Sequence, residues 1–99
     1  MKSHLYSRTL HHAEQDHVSD RLVLASRYAD CLRHLAVTAT RLGLADLAEA
    51  IADLSRAIDR MAYDLAVSDY GIVVLGRAGR LIGTVERRLA KKSREAILH

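Results

Sequence analysis

The stretch from Leu44 to Ser68 constrains the fold more than any other part of this chain. Its large apolar residues recur at alternating steps of four and three, which places them on one stripe of a single helix. A helix with such a stripe buries it against other elements, so the rest of the chain is expected to pack on it. This core stripe consists of Leu47, Ile51, Leu54, Ile58, Met61 and Leu65.

A second stripe with the same rhythm precedes the first. Ser19 is a candidate N-cap for its helix, and Gly43 can end that helix in a left-handed conformation, with Leu44 as the apolar residue beyond. Two long amphipathic helices joined by so short a turn must run antiparallel. The sequence therefore predicts an antiparallel helical hairpin, about 19–42 and 44–70, that ends at Gly71. The second stripe is Leu22, Ala25, Ala29, Leu32, Ala36 and Ala39.

Residues 72–85 support two interpretations. Two β-prone runs flank Gly76-Arg77-Ala78-Gly79, which is typical of a β-hairpin. A helix would also keep the four-three rhythm, but it would hold three glycines, each costing about 1 kcal/mol relative to alanine. The glycine cost favours the β-hairpin, and a C-terminal helix is expected after Val85. In the helical alternative, the apolar residues spaced by steps of three and four are Leu75, Ala78, Ile82, Val85 and Leu89.

The size and composition of the chain predict one small, mainly all-α domain over residues 1–99. Residues 1–18 are expected to be a weakly ordered segment with a short helix near Ser3–Ala13, and 86–99 a basic tail. A core this small is marginal, so a dimeric helical bundle is expected. The single Cys31 excludes an internal disulfide, and no apolar run is long enough to cross a membrane. Both observations favour a cytoplasmic protein.

Charge is distributed unevenly along the chain. Residues 44–70 hold six acids against two bases, a net −4, while 71–99 hold seven bases against two acids, a net +5. These segments can attract each other within the chain. The cations can also contact an acidic protein partner or, non-specifically, nucleic acid, although no aromatic residue interleaves with them. The candidate contact residues are Arg77, Arg80, Arg87, Arg88, Lys91, Lys92 and Arg94.

A histidine-rich N-terminal segment contains the metal candidates of the sequence. Glu14 and His17 have the Glu-x-x-His spacing found in carboxylate-bridged di-iron bundles, and His12 lies nearby. Such centres need a second Glu-x-x-His motif and two further glutamates, and no second motif is present. The sequence therefore predicts a solvated segment, with no metal and no cofactor.

Asp30 and His34 lie four residues apart on the expected outer side of the first hairpin helix, where an exposed histidine beside a carboxylate can accept a phosphoryl group or act as a base. The stretch is similar to histidine phosphotransfer domains. This resemblance implies a helical bundle with His34 as phosphoacceptor. Val37 and Thr38 stand where that family usually has a basic residue and a glycine. The resemblance is carried by His34, Leu35, Leu42, Gly43, Leu44, Leu47, Ala48 and Leu54.

No nucleophile in the sequence has a recognisable base and orienting group, so an enzyme is not expected. The leading hypothesis is a small regulatory or adaptor protein that acts as a helical homodimer by binding another protein. The alternatives are a nucleic-acid-binding protein that uses the basic C-terminal segment and a phosphotransfer module that uses His34.

Overall fold

The computed structural model describes the backbone of residues 2–98 and the side chains of 17–97. These residues form three α-helices and no strand: α1 (Lys2–Arg41), α2 (Ala45–Val67) and α3 (Asp69–Leu98). The start of α3 lies beside Leu24 and Tyr28 of α1, while Arg88 lies beside Leu44 and Leu47 at the start of α2. The fold is therefore an up-down-up helical bundle in which α3 is antiparallel to α2 and parallel to α1.

The turn between α1 and α2 follows from one glycine. Gly43 has a φ of 78°, a conformation that residues with a Cβ rarely adopt. The Leu44 N–H donates to the Ala39 carbonyl at 2.9 Å, and the Gly43 N–H donates to Thr40 at 3.0 Å. These two bonds form a Schellman motif, which satisfies carbonyls that the helix end would otherwise leave unpaired. The sequence prediction of a left-handed Gly43 is confirmed.

The helical hairpin of the prediction is present, but its outer boundaries were wrong. The first helix begins at Lys2, so Ser19 lies inside α1 and does not cap it, and no separate short helix exists at Ser3–Ala13. The physical reason is that residues 2–42 contain no Gly or Pro to interrupt a helix. At the other end α2 stops at Val67, before Gly71.

Ser68 makes the break between α2 and α3. Its backbone is extended, with φ −101° and ψ 146°, and its hydroxyl accepts a hydrogen bond from the Gly71 N–H at 2.9 Å. Ser68 is therefore the N-cap of α3, and Asp69 follows in the first turn, where the helix dipole favours negative charge. Gly71 is buried in that turn and packs directly on the backbone of Leu65.

The prediction of a β-hairpin at 72–85 was wrong, because these residues lie within the continuous helix α3. Burial explains this outcome, because the five apolar residues of the helical rhythm all face the core, with exposures of 8% or less. Fully burying a Leu, Ile or Val side chain is worth about 1.5–3 kcal/mol, so the four of these in the set outweigh about 1 kcal/mol for each of the three glycines. These core residues of α3 are Leu75, Ala78, Ile82, Val85 and Leu89.

The core is built from small residues on α1 against larger ones on α2. Leu32 is completely buried between four buried alanines of α1, so α2 can approach closely. Ser55 of α2 is 2% exposed, and its hydroxyl donates to the Ala29 carbonyl of α1 at 2.7 Å. Arg21 of α1 donates to the Ala66 carbonyl at 3.0 Å, near the negative end of the α2 dipole. The dimeric part of the prediction stays a prediction.

Candidate interaction surfaces

The outer side of α3 carries a basic face. All seven cations that the sequence singled out are exposed, and at about 100° per residue they fall within an arc of about 160° of the helix. The structure therefore brings them together on one side of one element. We call this set the basic face: Arg77, Arg80, Arg87, Arg88, Lys91, Lys92 and Arg94.

Two rows can be distinguished within the basic face. Arg80, Arg87 and Arg94 follow one another at steps of seven, so they lie in line, about 10 Å apart along the axis. Each has a small residue four positions earlier. The other row, which includes Arg77 and Arg88, lies toward α2.

The small residues leave room beside the arginine row. A Cβ added at Gly76 would meet only Arg80 Nη1 at 3.7 Å, and one added at Gly83 only Arg87 Nη1 at 3.5 Å. These glycines are therefore not required by packing within this chain. Sequence reasoning treated them only as helix breakers. The signal it missed is the seven-residue repeat of a small residue with an arginine four positions later.

Within residues 17–97, no cation of the basic face takes part in an ion pair. The ion pairs there join Arg33 to Asp30 at 2.8 Å, Arg33 to Asp59 at 3.1 Å, and Arg56 to Asp53. All three lie on α1 and α2, so within these residues no direct ion pair joins the acidic helix α2 to the basic helix α3. The expected attraction between these segments therefore does not take the form of a direct ion pair in this part of the chain.

Part of the core stripe lines a groove between α2 and α3. Ile51, Ile58 and Leu65 are buried, whereas Leu47 and Leu54 are half-buried and Met61 is 48% exposed. These less-buried residues recur at steps of seven along the groove. On the opposite lip Val74 is half-buried and Leu81 is 45% exposed. A cavity of about 410 Å³ at one end is lined by Leu44, Leu47, Arg88, Lys91, Lys92 and Glu95.

His34 is exposed on α1, as expected, but Asp30 is engaged elsewhere. The Asp30 carboxylate accepts a hydrogen bond from Arg33, which also bridges to Asp59 of α2. The backbone carbonyl of His34 accepts a bond from the Thr38 hydroxyl at 3.2 Å. The carboxylate that the sequence placed beside the imidazole therefore serves an ion-pair network on the α1–α2 surface.

Cys31 is half-buried where α1 faces α3. Burial raises the pKa of its thiol, and the nearby Glu86 carboxylate of α3 raises it further. Both effects disfavour the thiolate, which is the reactive form. The arrangement is that of a packed thiol.

The metal candidates His12 and Glu14 lie outside the described side chains, and His17 is exposed on α1. Among the described residues, no three His, Cys, Asp or Glu side chains cluster in a way that could hold a metal ion. None of the helices, over the part of the chain that the structure describes, is both long and apolar enough to cross a membrane.

No protein-family model matches this chain, and neither a curated protein nor a solved structure is detectably similar to it.

Proposed function

We propose that this protein is a non-enzymatic regulatory or adaptor protein that acts as a helical homodimer and binds an acidic protein partner through the basic face of α3. The observation that carries the proposal is that seven exposed cations share one side of a helix and form no ion pair within residues 17–97. A concentration of like charge destabilises the folded chain through self-repulsion, and an acidic partner relieves that repulsion.

The side-chain chemistry of the face suits protein recognition. Five of its seven cations are arginines, whose planar guanidinium groups bind carboxylates through two parallel hydrogen bonds. Arginine is also enriched at protein interfaces, whereas lysine is depleted. The small residues beside Arg80 and Arg87 leave space for a partner backbone to approach.

Charge reversal of the arginine row tests the proposal. The variant Arg80→Glu/Arg87→Glu/Arg94→Glu is compared with the matched control Arg27→Glu/Arg41→Glu/Arg60→Glu, which changes three exposed cations of α1 and α2. Each protein is immobilised, exposed to an extract of its host treated with nuclease, and analysed by quantitative mass spectrometry.

The expected result is a set of acidic proteins that the wild type and the control retain and the α3 variant loses. Their retention should fall with rising salt, since interactions between exposed charges are screened. If all three proteins retain the same set, the basic face is not the contact surface.

Nucleic acid is the second candidate partner, because the basic face extends over about 26 Å from Arg77 to Arg94, long enough to span several phosphates. Fluorescence anisotropy with a labelled DNA duplex distinguishes it. Nucleic-acid binding predicts an affinity that falls steeply with log salt and is lost in the α3 variant. Absence of binding at low salt rejects this alternative and leaves the first intact.

A further inference from the structure

We propose that a second copy of this chain occupies the α2–α3 groove, with the two-fold axis parallel to the helices, so that α2 of each copy packs on α3 of the other. This proposal rests on the homodimer of the proposed function and specifies its geometry. The two α2–α3 pairs would then form a four-helix bundle, with α1 of each copy on its outside.

The apolar residues of the groove provide the contact. Met61 and Leu81 are each nearly half exposed and lie on opposite lips, and Leu47 and Leu54 continue the apolar row. Recurrence at steps of seven is the pattern with which one helix accepts the side chains of another. A patch as long as the 23 residues of α2 and two helices wide covers roughly 700 Å², close to the ~800 Å² that each partner of a stable complex buries.

The net charges of α2 and α3 favour a two-fold axis parallel to the helices over one perpendicular to them. The helix α2 holds five acids and two bases, a net −3, and α3 holds seven bases and three acids, a net +4. A two-fold axis perpendicular to the helices would set α2 on α2 and α3 on α3, so that like charges meet. An axis parallel to the helices sets each acidic α2 on a basic α3, and opposite charges meet across the interface.

Individual positions agree with this arrangement. The side of α2 that borders the groove carries Asp46 and Asp53, with the small residues Ala50 and Ala57 between and beyond them. A parallel two-fold axis keeps the level of each residue along the bundle. Because Leu47 lies at the level of Arg88 within one chain, Asp46 would meet Arg88 of the second copy. The row of Arg80, Arg87 and Arg94 lies farther from α2 and stays available to the acidic partner. The alanines allow the helices to approach closely.

Mixed disulfide cross-linking tests the geometry. In a Cys31→Ser background, Ala50→Cys and Thr84→Cys are prepared as separate proteins; both positions are exposed, and they lie at nearly the same level of α2 and α3. The proposal predicts that oxidising the equimolar mixture gives a disulfide between the two proteins, identified by mass spectrometry of the linked peptides. Ala50→Cys alone should give little, because the two α2 helices lie diagonally.

The Ala57→Cys variant in the same background tests for the alternative axis, perpendicular to the helices. In that arrangement the two α2 helices are antiparallel neighbours, and their residues 57 meet near the helix midpoints. Self-cross-linking of Ala57→Cys, or the absence of any mixed product from a protein that sediments as a dimer, overturns the proposed arrangement and leaves the homodimer standing. A wild type that sediments only as a monomer overturns both.

Discussion

Replacing Gly71 by alanine should destabilise the protein, although helix propensity alone predicts the opposite. In an isolated helix, alanine is favoured over glycine by about 1 kcal/mol. In this fold, a Cβ at position 71 would lie 2.7 Å from the Leu65 Cα and still closer to the Leu65 carbonyl group. These are backbone atoms, so no rotamer change can relieve the overlap.

The size of the effect follows from that geometry. Carbon atoms in contact ordinarily lie about 3.5–4.0 Å apart, so the start of α3 must move by about 1 Å away from α2. Overpacking of this kind costs about 1–3 kcal/mol, and the propensity gain offsets up to about 1 kcal/mol of it. We therefore expect a net loss of up to about 2 kcal/mol, which in a chain of this size lowers the Tm by up to roughly 15 °C.

Gly76→Ala is the matched control in the same helix. A Cβ at position 76 meets only the mobile end of Arg80 at 3.7 Å, so the propensity gain should appear as a stabilisation of about 0.5–1 kcal/mol. Thermal and urea unfolding followed by circular dichroism, at one protein concentration, measure both variants. A Gly71→Ala protein that is as stable as Gly76→Ala would refute the packing argument at the α2–α3 junction.

Three further predictions concern single contacts. Gly79→Ala should lose about 1 kcal/mol, because its Cβ would lie 2.6 Å from the Tyr28 hydroxyl, and Tyr28→Phe should recover much of that loss in the double variant. Ser68→Ala should cost about 1 kcal/mol of unfolding free energy, because α3 loses its N-cap. Glu86→Gln should lower the pKa of Cys31, so that iodoacetamide alkylates the native thiol faster at mildly alkaline pH.

Each of these has an outcome that contradicts it. Equal stability of Gly79→Ala in the Tyr28 and Phe backgrounds would show that the hydroxyl is not the obstacle. An unchanged Tm for Ser68→Ala would show that the Ser68 cap does not stabilise α3. An alkylation rate of Cys31 that is the same in Glu86→Gln as in the wild type would show that this carboxylate does not raise the pKa of the thiol. Because the folded pKa is raised, the thiol should also cost stability as the pH rises above its ordinary pKa.

The hairpin of α1 and α2 could be predicted from the sequence because apolar periodicity and Gly43 agree there. Residues 72–85 could not, because local glycine cost and long-range burial point in opposite directions, and propensity carries no information about which neighbours a helix will bury. Ser68 could have been recognised, since Ser-Asp is a typical helix start. Its signal was hidden because Gly71, three residues later, is the more usual helix stop.

The basic face could be predicted as a set of residues but not as a surface. Whether its cations pair with the acids of α2 depends on how α3 is rotated in the bundle, and the sequence does not specify that rotation. The division of the core stripe into buried and groove-lining residues depends on the same rotation. Both features become visible only once Leu75, Ile82 and Leu89 are seen to face the core.

Sedimentation equilibrium at micromolar concentration tests the central claim, that this helical bundle acts as a homodimer through α2 and α3, most directly. The wild type should show twice the 11.0 kDa mass of the chain. Leu81→Glu, which puts a charge into the groove, should sediment as a monomer, while Val37→Glu, at a similarly exposed apolar residue of α1, should stay dimeric. A wild type that is monomeric, or a Leu81→Glu variant that remains fully dimeric, would contradict the account.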